Sequence, residues 1–243
     1  MNIWAITDQG VVRQQNQDAF RVEELSPEQA LLVVCDGMGG ARAGNIASEL
    51  AAGAFGDAVL ERMADPERTE ELGDVLLKAV EVANRVVCRR ANTDPDCLGM
   101  GTTLVAALVT TGGCYIVNVG DSRAYRISEN GIRRITRDHS LVEDLVLRGE
   151  ITPEQARVHP QKNLITRALG ASEKTRADLF EEPYTPGEHL LLCSDGLSNT
   201  VTDQEILYEV IHGGEPESCC QRLLDTAIQR GAPDNVTAVL LRM

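Results

Sequence analysis

The sequence has 243 residues, of which 43% are hydrophobic and 25% are charged, as in ordinary soluble globular proteins. Its formal net charge of -14 disfavours broad binding to the phosphate backbone of nucleic acids. Aromatic residues make up 3% of the chain, which is too few for a surface that stacks bases.

Apolar runs bounded by turn residues predict strands along most of the chain. The predicted strands span residues 2–7, 19–22, 30–35, 102–110, 114–120, 123–128, 131–136, 189–194 and 236–242. The turn sequences Thr111-Gly112-Gly113 and Glu129-Asn130-Gly131 connect neighbouring strands as hairpins.

Apolar residues at helical spacing predict two long helices, over residues 45–63 and 70–90. A capping box from Thr202 to Glu205 opens a third helix, and a fourth is predicted over residues 216–230. The helices therefore come in two pairs with a block of strands between them. This order predicts an α+β sandwich with antiparallel sheets rather than an alternating βαβ fold.

Residues 141–168 have a different character from the strands around them. Short helical pieces are predicted at 141–148 and 152–158, and the second has a Thr152/Gln155 capping box with Pro153 at its first position. A segment of this kind between strands often forms a lid or a recognition flap. No low-complexity linker interrupts the sequence, so we expect one domain over 1–243 with a flap subdomain at about 141–168.

The chain has seven cysteines and no C-x-x-C pair. Cys35, Cys114 and Cys193 lie inside apolar runs, where cysteine is typically a small core residue. A disulfide framework is therefore disfavoured, and a reducing cytoplasm is the expected compartment. No apolar run has the length of a signal peptide at the start or of a membrane span elsewhere, so no membrane association is expected.

Aspartates follow three of the apolar runs. Asp36 follows 31–35, Asp121 follows 115–120, and Asp195 follows 190–194, while Asp234 stands just before the run 236–241. Buried strands that end in acids can bring carboxylates together at one edge of a sheet. Clustered carboxylates repel each other unless they share cations, so the pattern favours a site for a hard metal and a metal-dependent hydrolase. For any one Asp-Gly pair, a plain turn is the alternative.

Other hydrolase and nucleotide-binding patterns do not fit the sequence. The glycines of residues 37–40 match neither a P-loop nor G-x-G-x-x-G, but they permit close backbone approach to a metal, with the Gly37 carbonyl as a ligand. None of the four histidines is paired as in a zinc protease. Cys35 lacks an arginine six positions later, and no G-x-S-x-G elbow exists. Asp138-His139-Ser140 is better explained as a turn and helix N-cap than as a catalytic triad.

Arg13 lies in the polar stretch of residues 13–18, between two predicted strands. A solvated loop arginine is one explanation. The functional alternative is a guanidinium that clamps a phosphate through two N–H donors.

Together these segments identify a resemblance. The chain resembles the metal-dependent protein serine/threonine phosphatases of type 2C, in their compact bacterial form. The matching stretches occur in family order and cover the chain from end to end: residues 13–18, 34–40, 101–103, 119–124, 138–140, 166–170, 194–197 and 234–237.

The resemblance implies a four-layer αββα sandwich, in which two antiparallel sheets are flanked by helix pairs. It also implies two Mg²⁺ or Mn²⁺ ions per active site and a possible third, weaker one. By matching positions, Asp36 bridges the two ions, Asp195 and Asp234 complete the first site, and the Gly37 carbonyl serves the second. Asp18, or Gln17 beside it, reaches the second ion through water. Arg13 matches the phosphate-binding arginine, and Asp121 holds the third ion with Asp195.

The chemistry implied by the resemblance is hydrolysis of phosphoserine and phosphothreonine in proteins by a hydroxide bound to the two metals. Asp36 and Arg13 are the catalytic candidates, and Arg13 also stabilises charge on the phosphoryl oxygens. Position 38 is a methionine where many eukaryotic members have a histidine proposed as the general acid. Because methionine carries no proton to donate, the leaving group must be protonated from elsewhere.

Two other functions remain open from the sequence. One is a binding protein on the same fold without activity, although the acids and Arg13 are all retained. The other is a dimetal hydrolase of a different phosphoester, such as a nucleotide. The resemblance implies phosphorylated proteins as partners, a bacterial serine/threonine kinase as the opposing enzyme, and a monomer.

Overall fold

The computed structural model describes residues 1–183 and 185–243, except for the side chains of residues 40–42. The described residues form eleven strands: β1 (Asn2–Asp8), β2 (Asp18–Ser26), β3 (Gln29–Met38), β4 (Gly101–Thr102), β5 (Leu104–Thr110), β6 (Gly113–Val119), β7 (Arg123–Ser128), β8 (Gly131–Arg134), β9 (Asp178–Glu182), β10 (His189–Cys193) and β11 (Val236–Arg242). They also form seven α-helices: α1 (Gly40–Ala64), α2 (Leu72–Thr93), α3 (Leu141–Leu147), α4 (Pro153–Arg157), α5 (Asp195–Ser198), α6 (Asp203–His212) and α7 (Pro216–Gln229).

The strands make two antiparallel sheets. The first has the order β1-β11-β10-β7-β8, and the second has the order β2-β3-β5-β6-β9, with the short β4 paired to the end of β3. The expected fold class is therefore confirmed. Helices α1 and α2 pack on the second sheet, while α6 and α7 pack on the first.

Three hydrophobic layers hold these elements together, and alternation along β3 shows how. Leu31, Val33 and Cys35 point into the core under α1 and α2. Leu32 and Val34 point the other way, into the core between the two sheets. Because both faces of the strand are covered, residues 30–35 are all buried, which explains the continuous apolar run in the sequence. A third core lies between the first sheet and helices α6 and α7.

Helix starts follow the predicted capping signals. Thr202 and Thr152 each complete a capping box, with Glu205 and Gln155 respectively, and Ser140 caps α3 by accepting a hydrogen bond from the N–H of Glu143. Within the described part of the chain, no helix has the length and apolar character needed to cross a membrane.

Several boundaries differ from those predicted. Helix α1 begins at Gly40, five positions before the predicted start at 45, because Gly39 adopts a φ of 130° that lets the chain turn directly from β3 into the helix. Strand β3 continues through Asp36 to Met38, because β4 pairs with its last residues. Strand β9 was not predicted.

Candidate active site

An open cavity lies where the ends of β3, β6 and β10 meet the start of β11. It has a volume of about 520 Å³ and is lined by Arg13, Gln14, Gln15, Gln17, Asp36, Gly37, Met38, Gly39, Thr103, Asp121, Asn163, Ile165, Asp195 and Asp234. All the candidate site residues from the sequence are brought to this cavity except Asp18, which lies behind it.

The four aspartates that line the cavity lie at different positions relative to their strands and helices. Asp36 lies within β3 near its end, and Asp121 follows β6 by two residues. Asp195 begins the short helix α5, directly after β10 and Ser194, and Asp234 precedes β11 by two residues. Only the general placement near strand ends was predictable, because two of these acids belong to elements themselves.

Asp36 is held in place by Thr103, which the sequence analysis did not single out as a site residue. The backbone N–H of Asp36 donates to Thr103 Oγ1 at 2.9 Å, and the N–H of Thr103 donates to the carbonyl of Asp36 at 2.9 Å. Thr103 Oγ1 also lies 2.7 Å from Ser122 Oγ. These contacts fix the backbone that carries the Asp36 carboxylate.

Gly37 occupies a position that permits no side chain. A Cβ at this position would lie 2.0 Å from the carbonyl oxygen of Gly44 and 2.6 Å from that of Gln17. The N–H of Gly37 donates to the carbonyl of Gln17 at 3.0 Å. The glycine therefore lets α1 and the end of the Arg13 loop pack directly against β3, beside Asp36.

Asp18 is buried behind the cavity and faces Asp36 across the β2–β3 pair. Its Oδ2 accepts hydrogen bonds from Ser194 Oγ at 2.7 Å and Thr237 Oγ1 at 2.6 Å, while its Oδ1 has no partner among the described residues. Of the two neighbouring residues proposed to reach a metal through water, Gln17 lines the cavity and Asp18 does not.

Asp195 and Asp234 have different local partners, and only Asp234 is bonded to Arg13. Asn199 donates to Asp195 Oδ2 at 3.0 Å, and Asp195 Oδ1 is buried without a partner in the described structure. Asp234 Oδ1 accepts from the N–H of Asn235 at 2.9 Å, and Arg13 Nη2 donates to Asp234 Oδ2 at 2.6 Å.

Asn235 anchors the loop that carries Arg13. Its Nδ2 donates to the carbonyls of Gln9 at 2.8 Å and Gln15 at 2.9 Å, and its Oδ1 accepts from the N–H of Gln17 at 2.9 Å. Sequence reasoning assigned Asn235 no role. Its only signal there was its place beside Asp234.

The buried acids at the cavity resist ionisation. Burial, together with the charges of neighbouring acids, raises the pKa of Asp195 to about 6, of Asp18 to about 7 and of Asp121 to about 8. The same causes raise the pKa of Asp36 well above its usual range, with Asp18 as the strongest neighbouring charge. The acids are thus held together against their mutual repulsion.

These residues fit a hard divalent cation by their chemistry. Carboxylate and carbonyl oxygens are the ligands that Mg²⁺ and Mn²⁺ prefer, and Asp195 Oδ1 is a buried oxygen without a partner in the described residues. Within residues 1–183 and 185–243, no three acidic, histidine or cysteine side chains already converge as a ligand set. The bond from Arg13 to Asp234 Oδ2 competes with a cation for the same oxygen.

Two residues of the segment 141–168 reach the cavity. Asn163 and Ile165 form part of its wall. Ser140 pairs with Ile165 as an isolated bridge, so the chain enters and leaves this segment at one place beside the cavity.

Comparison with known proteins gives one consistent result. The family model described as protein phosphatase 2C matches residues 11–229. The chain is 40% identical to the serine/threonine phosphatase stp of Listeria monocytogenes serovar 1/2a, over 97% of this chain and 93% of that protein.

Solved structures agree with the sequence relatives. The serine/threonine phosphatase PstP/Ppp of Mycobacterium tuberculosis matches with a TM-score of 0.87 and 37% identity, covering 100% of this chain and 99% of that one. A PstP catalytic domain in complex with two manganese ions matches with a TM-score of 0.84 and 36% identity, covering 98% and 96%. The shared fold, the extent of the match and the acidic cavity lead to one conclusion: this chain belongs to the protein phosphatase 2C family of protein serine/threonine phosphatases, which are hydrolases that act on phosphoproteins.

Proposed function

We propose that the acidic cavity is the active site at which this chain hydrolyses phosphoserine and phosphothreonine in proteins. The observation that carries the proposal is the meeting of Arg13 with Asp36, Asp121, Asp195 and Asp234 in one open cavity. Four carboxylates alone repel a phosphate group. Cations that bind the carboxylates turn this repulsion into attraction for phosphate. The guanidinium of Arg13 then adds two N–H donors that can bind the phosphate oxygens.

The metal ligands in this proposal are oxygens of the cavity wall. Asp36, the Gly37 carbonyl, Asp195 and Asp234 hold two Mn²⁺ or Mg²⁺ ions, and Asp121 with Asp195 holds a third, weaker one. Asp18 supports this set from behind Asp36 or acts through water. Divalent cations at such a site neutralise phosphate charge and lower the pKa of water. The relative solved with two manganese ions supports the number and kind of the two ions.

Arg13 binds and orients the phosphoryl group. Its side chain is about half exposed, with a relative exposure of 49%, so a substrate can reach it. The loop beneath it is fixed by Asn235, and therefore less conformational freedom is lost when phosphate binds. Met38 lines the cavity but has no proton to donate, so solvent in the open cavity protonates the leaving seryl or threonyl oxygen.

The flap subdomain, residues 141–168, contacts the polypeptide around the phosphorylated residue. Asn163 supplies a polar contact and Ile165 an apolar one at the cavity wall.

The substrates are products of serine/threonine kinases, because such enzymes supply phosphoserine and phosphothreonine. Helix pairs already cover the outer faces of both sheets, and this favours a monomer. The seven cysteines are free and buried, and this favours a reducing cytoplasm as the compartment.

Hydrolysis of a phosphothreonine peptide tests the proposal most directly. Phosphate release would be measured with EDTA, with Mg²⁺ and with Mn²⁺, for the wild type and for Asp195→Ala. Asp225→Ala is the matched control, since it removes one acid from the exposed face of α7. We expect release only with metal, near-complete loss in Asp195→Ala and unchanged rates in the control. Folded protein that releases no phosphate with either metal contradicts the proposal.

A second pair of variants tests Arg13. Replacing a donor that stabilises transition-state charge typically costs about 10²- to 10³-fold, and we expect such a loss in kcat/KM for Arg13→Ala. Arg13→Lys keeps the charge but loses the paired donors, so its loss should be smaller. If Arg13→Ala retains wild-type kcat/KM, Arg13 does not bind the reacting phosphate.

A further inference from the structure

His139 lies at the base of the flap subdomain, where the chain enters and leaves it. The carbonyl of His139 accepts a hydrogen bond from the N–H of Thr166 at 2.8 Å, and the N–H of Leu141 donates to the carbonyl of Leu164 at 2.9 Å. The His139 ring is almost completely buried, with 4% relative exposure. It therefore belongs to the support of the flap and not to its surface.

The same histidine forms two hydrogen bonds with Gly120, the residue immediately before Asp121. The N–H of His139 donates to the carbonyl of Gly120 at 2.9 Å, and the N–H of Gly120 donates to His139 Nδ1 at 3.0 Å. Gly120 has a φ of 106°, and a Cβ there would lie 2.6 Å from Thr103 Cγ2. Both polar groups of Gly120 are thus bonded to His139, and its carbonyl also accepts a hydrogen bond from Asn118 Nδ2 at 3.2 Å.

The other ring nitrogen faces an ion pair. His139 Nε2 lies 3.1 Å from Asp178 Oδ2 and 3.0 Å from Arg167 Nη1, and Arg167 Nη1 donates to Asp178 Oδ1 at 2.8 Å. Because Gly120 N–H needs the lone pair of Nδ1, the hydrogen must be on Nε2, from which it is donated to Asp178. Burial lowers the pKa of His139, and this favours the same neutral form.

This network has a supporting position. The cavity lining, as far as the structure describes it, does not contain His139, Arg167 or Asp178. None of the three therefore lines the cavity proposed for the reacting phosphate, and the chain of contacts from Asp178 through the imidazole ends at Gly120. Asp178 begins β9 and is paired in register with Asn118 of β6, so the far end of the network is fixed to the sheet.

We propose that His139 is a positioning residue which, as a neutral imidazole between Gly120 and Asp178, holds the Asp121 carboxylate in register with the base of the flap. The inference rests on the proposed function, since it gives Asp121 a part in metal binding. A hydrogen-bonded group behind a metal ligand typically changes affinity or activity by about 10- to 100-fold when it is removed.

Three substitutions separate the two contacts of the ring. His139→Asn places an amide oxygen near Nδ1 and keeps the acceptor for Gly120 N–H. His139→Gln places an amide N–H near Nε2 and keeps the donor to Asp178, and His139→Ala removes both. The matched control is His189→Ala, because His189 is also buried, at 7% relative exposure, and lies in β10 with its Nδ1 unpartnered in the described structure.

Manganese binding by calorimetry is the first measurement, with Mn²⁺ alone as the probe, and the Mn²⁺ concentration for half-maximal phosphate release is the second. We expect the weaker class of Mn²⁺ binding to lose about 10- to 100-fold in affinity in His139→Ala and His139→Gln. His139→Asn should stay within about three-fold of the wild type, and His189→Ala should bind Mn²⁺ as the wild type does. Equal effects in His139→Asn and His139→Ala overturn the proposal.

An NMR measurement on the unaltered protein covers the case in which a variant does not fold. We expect the His139 ring to carry its proton on Nε2 alone and the Gly120 amide to exchange slowly with solvent. A proton on Nδ1, or a fast-exchanging Gly120 amide, overturns the proposal. If the wild type releases no phosphate at all, the proposed function fails, while calorimetry and NMR still decide the role of His139.

Discussion

Asp18 and Asp36 stand directly opposite each other on the neighbouring strands β2 and β3. Burial raises the pKa of Asp18 to about 7 from an ordinary value of 3.8, and it raises that of Asp36 well above the same value. Two carboxylates that resist ionisation therefore lie side by side at the proposed site, with Asp36 on the cavity wall and Asp18 behind it. Protons and metal ions therefore compete for it.

The first prediction concerns pH and metal together. Above about pH 4, the native chain still holds protons on these acids that the unfolded chain has released, up to about pH 7 for Asp18 and beyond that for Asp36. In EDTA, their contribution therefore lowers the free energy of unfolding as pH rises. Mn²⁺ relieves the repulsion between ionised carboxylates. We expect Mn²⁺ to raise the melting temperature more at pH 8 than at pH 5.5, which calorimetry over both pH values can check. Asp36→Asn should reduce this difference, and an equal gain at both pH values contradicts the prediction.

The second prediction concerns Asn235. Asn235→Ala removes three hydrogen bonds to the loop that carries Arg13, so we expect a several-fold higher KM for a phosphopeptide and a loss of stability of about 1–3 kcal/mol. Steady-state kinetics and chemical denaturation measure the two effects. Asn84→Ala is the control, because Asn84 is equally buried and binds three backbone groups, of Gly170, Ser172 and Glu173. It should lose stability without a change in KM, and similar KM values in both variants would show that the loss of Asn235 acts only on folding.

The third prediction concerns the support of Asp36. Thr103→Val keeps the shape of the side chain but leaves the N–H of Asp36 and the hydroxyl of Ser122 without this partner. We expect kcat/KM to fall by at least about 10-fold, whereas Thr103→Ser should retain most of it. Thr110→Val removes comparable bonds at the other end of β5, where Thr110 contacts Gly112 and Gly113, and it should alter stability alone. Unchanged kinetics in Thr103→Val would exclude this role for the hydroxyl.

The fourth prediction separates stability from activity. Thr202 caps α6 and accepts from the N–H of Glu205, whose carboxylate also binds Arg230. Thr202→Ala should lower the free energy of unfolding by about 1 kcal/mol. Because the residue does not line the cavity, kcat and KM should remain those of the wild type. A fall in kcat at a temperature where the variant is fully folded would refute this separation.

The regular parts of the fold were predictable because one physical signal dominated each of them. Residues 30–35 are buried on both faces of β3, so a continuous apolar run marked the strand. The capping boxes at Thr152 and Thr202 use only residues three positions apart, and both were found from sequence and confirmed.

Elements fixed by distant partners were harder to predict. Strand β9 has the sequence Asp178-Leu179-Phe180-Glu181-Glu182, in which two apolar residues stand among three acids. It is a strand because β6 offers it an edge, and this partner lies about sixty residues earlier in the chain. The early start of α1 depends on the backbone of Gly39, and no periodic pattern records that conformation.

The site, too, has residues that could be predicted from the sequence and residues that could not. Acids next to apolar runs drew attention to Asp36, Asp121, Asp195 and Asp234, and these line one cavity. Thr103, Asn235 and His139 were not assigned site roles, because their importance lies in which backbone groups they contact. Such contacts join residues far apart in the chain, and an isolated threonine or asparagine in a sequence carries no sign of them.

The burial of every cysteine separates this enzyme from the redox state around it. All seven thiols are free and buried, and burial raises the pKa of Cys114, Cys193 and Cys220 to about 12. Oxidants and alkylating reagents attack thiolates, and the raised pKa of these three thiols keeps them protonated near neutral pH. A reactive cysteine must be accessible and ionised, whereas the cysteines of this chain are buried. The rate at which a thiol reagent modifies these cysteines would therefore report how often the fold opens.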